Sequence, residues 1–173
     1  MVKDDGIKLV DKTINLLETI SIWDEKMAMQ AHKIGLQGEK RKERYTGRKA
    51  HLIAQKLQHD VYDIFDAELY PVAQKVPIPN FNSAKDYYIE YINKMWYLYE
   101  ELHMIANTMV TSNLKPLSGC IYKLTDCMFN DILHSQRFFK ECEKAKWEYH
   151  HISRYQVSLE NIHDEYEKKE ESQ

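Results

Sequence analysis

The chain has 173 residues, 43% of them hydrophobic and 12% aromatic, which excludes a disordered polymer and supplies a core for one ordinary domain without disulfides or structural metal. Its 27 acidic and 24 basic residues leave a net charge of −3, so nothing draws it toward a nucleic-acid polymer or an anionic membrane. No apolar run reaches the length of a signal segment or a membrane span, and the expected address is cytoplasmic.

Five Gly and four Pro leave few helix breaks, and the pattern predicts an all-α, single-domain bundle of about five helices over residues 1–173. From Ile7 to Gln37, Leu9, Ile14, Leu17, Ile20, Met27, Ala31 and Ile34 recur at three- and four-residue steps, the period of a one-faced helix. The charged run from Gly38 to Gly47 is bracketed by glycines and reads as a solvated connection. A second helix is expected from Arg48 to Leu69, with Ala50, Ile53, Leu57, Val61 and Ile64 on its buried face, ending before Pro71. Pro71 to Asn82 is the clearest loop. Ser83 with Asp86 resembles a capping box that opens a third helix striped by Tyr88, Tyr91, Met95, Leu98, Leu102, Ile105 and Met109. Asn113 to Gly119 breaks the chain again, and Leu117, Ile121, Leu124, Met128, Ile132 and Phe139 mark a fourth helix. Lys144 to Gln173 predicts a final helix packed by a narrow edge, with 164–173 as its solvated end.

Chemistry concentrates in His59-Asp60-Val-Tyr-Asp63-Ile-Phe-Asp66-Ala-Glu68-Leu-Tyr-Pro71, where one histidine and four acids share the end of a helix. An imidazole and a neighbouring carboxylate can hold a divalent ion once a third ligand arrives from another helix, and the ion then activates water. The segment resembles the HD-domain phosphohydrolases, most closely their bacterial 5'-deoxynucleotidase branch, through His59-Asp60, Asp63, Glu68 and Pro71, through Lys123-Leu-Thr-Asp126, and through Met27-Ala-Met-Gln-Ala-His32. The resemblance covers roughly residues 20 to 145. It implies an HD-domain-like helical fold and a metal-dependent phosphohydrolase whose partner is a small nucleotide or other phosphate ester. His59, Asp60 and Asp126 would then be metal ligands, with Asp63 acting on the attacking water or the leaving group and Glu68 contacting substrate. The family's first metal-binding His falls where this chain has Trp23-Asp24, so His32 or Asp24 would substitute. No Arg precedes Arg41 to hold phosphate, which leaves open whether such a site is active.

Two other readings stand beside this one. His59, Asp63 and Asp66 lie opposite the buried stripe of their helix, where acidic residues are ordinarily just solvated, and the chain is then a non-catalytic helical bundle that binds protein or self-associates, through the aromatic face of the third helix or the amphipathic C-terminal helix. Glu100-x-x-His103 and Asp131-x-x-His134 also mimic the carboxylate-x-x-His pairs of ferritin-like di-iron bundles, although Glu100 and His103 are out of phase with the Leu98, Leu102 and Ile105 stripe. Cys120, Cys127 and Cys142 are odd in number, sit at helical spacing and lack C-x-x-C pairing, as expected of thiols in a reducing compartment. Thiol titration of the denatured, unreduced protein should therefore find three reactive groups per chain; a lower count would indicate a bridge or a bound metal.

Overall fold

The computed structural model describes residues 3–34, 37–72 and 75–144, with side chains throughout except at 37–45, 142 and 144. Four helices and no strand occur among the described residues: α1 (Lys3–Lys33), α2 (Gln37–Phe65), α3 (Ala84–Val110) and α4 (Lys115–Lys144). α1 packs along α2 and α3 along α4, and the two hairpins meet with α1 against α3 and α2 against α4 around one apolar core. This is an all-α four-helix bundle. Four of the about five expected helices lie among the described residues, and all but the first residue of the helix foreseen over Lys144 to Gln173 falls outside them.

α1 buries Ile14, Leu17, Ile20, Met27 and Ala31 of the predicted stripe, with Val10 in the core and the expected Leu9 and Ile34 only partly buried, and Asp4 and Asp5 in its first turn with Lys33 in its last complement the helix dipole. α2 departs from expectation at both ends. It begins at Gln37, so the backbone from Gly38 to Gly47 is helical and does not connect two helices. Gly47 is needed there for close approach. Its N–H donates to the buried Asp24 carboxylate at 2.7 Å, and a Cβ at Gly47 would stand 3.0 Å from Asp24 Cβ and 3.3 Å from the Ser21 carbonyl oxygen. The helix stops at Phe65, four residues short of Leu69. Asp66 adopts a left-handed backbone with φ 54° while its N–H bonds to the Tyr62 carbonyl at 2.8 Å, a common way to end a helix. Phe65, rather than the expected Ile64, reaches the core, and Ile64 is exposed.

Residues 66–83 carry the chain from the Gly6 end of α1 to its Trp23 end. The Phe65 ring lies over Gly6, Val72 N–H bonds to Asn15 at 3.0 Å, and Lys26 Nζ bonds to the Val76 carbonyl at 2.9 Å, so the connection climbs along α1. An extended chain of this length reaches about 60 Å, more than the roughly 45 Å of a 30-residue helix. α3 therefore runs parallel to α2 and antiparallel to α1, where Tyr91 stacks on Trp23 at 5.5 Å between ring centroids. Ser83 Oγ accepts the Asp86 N–H at 3.2 Å, as the capping pattern predicts. Pro116 stands in the first turn of α4, where its missing N–H costs nothing, so the expected break at 113–119 shortens to a turn before Lys115.

The glycines of α2 and α4 make opposite predictions. Gly47→Ala gains about 1 kcal/mol of helix propensity but forces α1 and α2 apart, and should lower stability by about 1–2 kcal/mol net. Gly119 is helical, and a Cβ placed there would meet nothing within 4 Å, so its change to Ala should instead gain up to about 1 kcal/mol. Urea unfolding of the two variants checks both signs.

Candidate functional site

The residues proposed for metal and catalysis lie on outer surfaces. The His59 side chain is 77% exposed, with Nδ1 at 3.2 Å from Oδ2 of Asp63, itself 60% exposed, and the two form an i,i+4 pair facing away from the core. Asp60 accepts the Lys56 ammonium one turn earlier, and this hydrogen bond raises the Lys56 pKa above the ordinary lysine value. Glu68 accepts the Tyr70 hydroxyl at 3.1 Å, which raises the tyrosine pKa. His32 is exposed at the end of α1 and Asp126 is exposed on α4.

Helix register explains why His59, Asp60 and Asp126 do not gather. Along the antiparallel α2–α4 seam, Thr46 donates to Asp131, Lys49 Nζ lies 3.3 Å from Cys127 Sγ, and Lys56 and Asp60 act on Cys120. Asp126 is thus level with residue 50 of α2, about 15 Å along the axis from Asp60 at 1.5 Å per residue. Metal ligands must converge within about 2.0–2.2 Å of one ion. Among the described residues no three His, Cys, Asp or Glu side chains are placed to hold a metal ion.

The alternative pairs fare similarly. Glu100 is exposed, while His103 stacks on Tyr99 at 5.5 Å and meets the edge of Tyr122 at 5.6 Å on the outer side of α3. Asp131 is occupied by Thr46 at the α2–α4 seam, and His134 is buried in α4 with its own contacts. The positions that line the axis are instead apolar: Leu17 and Ile20 from α1, Ala54 and Leu57 from α2, Met95 and Leu98 from α3, Leu124 and Met128 from α4. Asp24 is the buried carboxylate among the described residues, and it is committed to the Gly47 backbone.

What the bundle presents outward is a run of rings along the α3–α4 groove. Trp96 contacts Tyr99 and Phe129 at 5.5 and 6.3 Å, Tyr99 contacts Phe129 and His103 at 5.8 and 5.5 Å, and His103 continues to Tyr122, whose hydroxyl donates to Asn107. Trp96 and Phe129 remain 41% and 37% exposed. Toward the start of α3 the strip opens into a shallow groove of about 330 Å³ lined by Ile89, Ile92, Asn93, Gln136, Phe139 and Lys140. Within the aromatic stretch from Tyr87 to Tyr99, Tyr88 and Tyr91 are buried as their place in the predicted stripe requires, Tyr87 is buried beside them, and Trp96 and Tyr97 are exposed. On the opposite side of α4, Cys120 and Cys127 are free thiols, and burial pushes the Cys120 thiol up from its ordinary pKa. The side chain of Cys142 lies outside the described residues.

No described helix is long and apolar enough to cross a membrane. The sequence matches no family model and no curated protein. Solved structures do match the fold. A humanized archaeal ferritin superposes with a TM-score of 0.73 at 11% identity over 92% of this chain and 97% of that one. An open-pore ferritin from the hyperthermophilic archaeon Archaeoglobus fulgidus does so with a TM-score of 0.72, again at 11% identity, over 92% and 98%. These likenesses overturn the HD-domain relationship, and with it the metal-dependent phosphohydrolase and its nucleotide or phosphate-ester partner. The chain is folded as a ferritin-like four-helix bundle.

Proposed function

We propose that this chain is a non-catalytic ferritin-like bundle that works as a protein-binding module through the outer face of α3 and α4. The observation that carries the reading is the pair of exposed rings Trp96 and Phe129, joined to each other directly and through the half-buried ring of Tyr99. Connected apolar surface of this kind is costly in water and marks sites where another macromolecule covers it.

The fold likeness favours a second reading, an interior di-metal centre. Such a centre takes carboxylates from two helices and carboxylate-x-x-His pairs from the other two, all pointing at the axis. The described residues do not fit it: Leu, Ile, Met and Ala occupy the axis, Glu100 is exposed, and Asp131 serves the α2–α4 seam. The divalent ion expected from the sequence has no donor set among the described residues.

Two measurements test the reading. Protein purified without chelator should carry no stoichiometric metal, and ferrous or manganese ions should leave its unfolding midpoint unmoved, since an ion bound only to the native state would raise it. One or two bound ions per chain with a rising midpoint would establish the di-metal reading instead. Truncating Trp96 and Phe129 together to Ala should shift the midpoint by no more than about 4 °C, because a binding face contributes little to the isolated fold. A fall on the order of 10 °C or more, as expected for core truncation, would make the rings part of the core.

A further inference from the structure

The outer strip is complementary to itself. Asp126, Leu133 and Lys140 are spaced by seven residues, two turns of α4, and so lie within about 20° of one line along the helix. An acid therefore stands at one end of that line and a base at the other, about 21 Å apart with Leu133 midway. Asp126 and Lys140 are both exposed, and neither has an ion-pair partner among the described residues. The apolar features have the same symmetry. The projecting pair, Trp96 and Phe129, lies on the Asp126 side of Leu133, and the groove floored by Ile89, Ile92 and Phe139 lies on the Lys140 side. Both flank α4 on the edge that faces α3, since Phe129 touches Trp96 and Tyr99, and Gln136 shares the groove with Ile89.

We propose that a second copy of this chain docks antiparallel on the α3–α4 face, about a twofold axis crossing α4 at Leu133. A rotation about that axis reverses the helix direction while keeping the α3 edge opposite the α3 edge. It sets Asp126 against Lys140 of the partner subunit, and Lys140 against Asp126 of the partner subunit. It also brings Trp96 and Phe129 over the groove of the partner subunit, and the reciprocal contact follows from the symmetry. Each copy supplies both knob and hole, so no other protein is required to cover the rings. The ion pairs fix direction: a parallel arrangement would set Asp126 against Asp126 and Lys140 against Lys140, which repel. This inference rests on the reading that the α3–α4 face binds protein, and names the partner.

The test is a charge exchange followed by light scattering on the size-fractionated full chain. The wild type is expected to be a dimer. Asp126→Lys and Lys140→Asp each replace two attractive pairs by two repulsive ones, and each should weaken dimerisation by about tenfold or more with the helical circular dichroism unchanged. Mixing the two variants restores opposite charges at both ends of a heterodimer, so the mixture should dimerise where each component alone does not. Recovery on mixing also shows that both variants are folded. A wild type that stays monomeric up to about 100 µM overturns the inference. So does a dimer indifferent to either reversal, or a mixture that fails to reassociate. None of these outcomes touches the broader binding reading, which fails instead on bound metal or on a large loss of stability in the Trp96, Phe129 double truncation.

Discussion

The arrangement of the bundle depends on the connection between α2 and α3. A short turn after Phe65 would start α3 at the Gly6 end and make it antiparallel to α2. The chain instead climbs the length of α1, held by Asn15 on the Val72 N–H and by Lys26 on the Val76 carbonyl. α3 consequently starts beside Trp23, and α4 returns between α2 and α3. α4 then has two working flanks. One carries Cys127 and Asp131 to α2, and the other carries Phe129 and Gln136 to α3 and the outside. The left-handed backbone at Asp66 makes this possible, because it ends α2 early enough to leave chain for the climb.

Much of this was legible from periodicity and less from punctuation. The α3 stripe from Tyr88 to Met109 is buried as predicted, because a long helix between two partners needs a steady three-and-four repeat. Gly38 and Gly47 misled because glycine has two uses in a helix. It can break one, or it can let a neighbour approach, and only the position of Asp24 and Ser21 on another helix shows that Gly47 does the second. Ile64 and Phe65 exchanged roles for a related reason: near the end of α2 the neighbour is Gly6, and the residue that reaches it takes the core position. The fold itself was reached only as a minor alternative, since its usual signature is a set of inward acids, and the described residues carry none at the axis.

The separation of His59 and Asp60 from Asp126 shows what a short motif leaves out. His59, Asp60 and Asp126 have family-like spacing along the chain, but spacing within one helix fixes a face only relative to that helix. Convergence depends on the register between α2 and α4, which the seam contacts at Thr46, Lys49 and Lys56 determine. The three acids near the end of α2 then find local uses: Asp60 takes Lys56, Asp63 takes His59, and Glu68 takes Tyr70. Solvated pairs of this kind contribute little to stability and tolerate exchange, so their composition carries little information about chemistry.

Exposed apolar side chains occur elsewhere on the bundle, and the difference lies in how they are connected. Tyr62 lines a shallow pocket with Leu69 and Tyr70, and Met29 one with Val76 and Ile78, but neither belongs to a chain of ring contacts. On the α3–α4 face, by contrast, ring meets ring from Trp96 to Tyr122 across two helices, with each contact near 5.5–6.3 Å. Removing water from a connected strip gains in proportion to its area and needs only one partner surface, whereas scattered residues would each need their own. The same helix that buries Leu124, Met128 and Ile132 against the core thus sets Phe129 and Leu133 one residue further round, at the edge of the outer groove. A stripe of two widths on α4, one side for the fold and one for a partner, follows from adding Asp126, Phe129, Leu133, Gln136 and Lys140 at three- and four-residue steps beside the core positions.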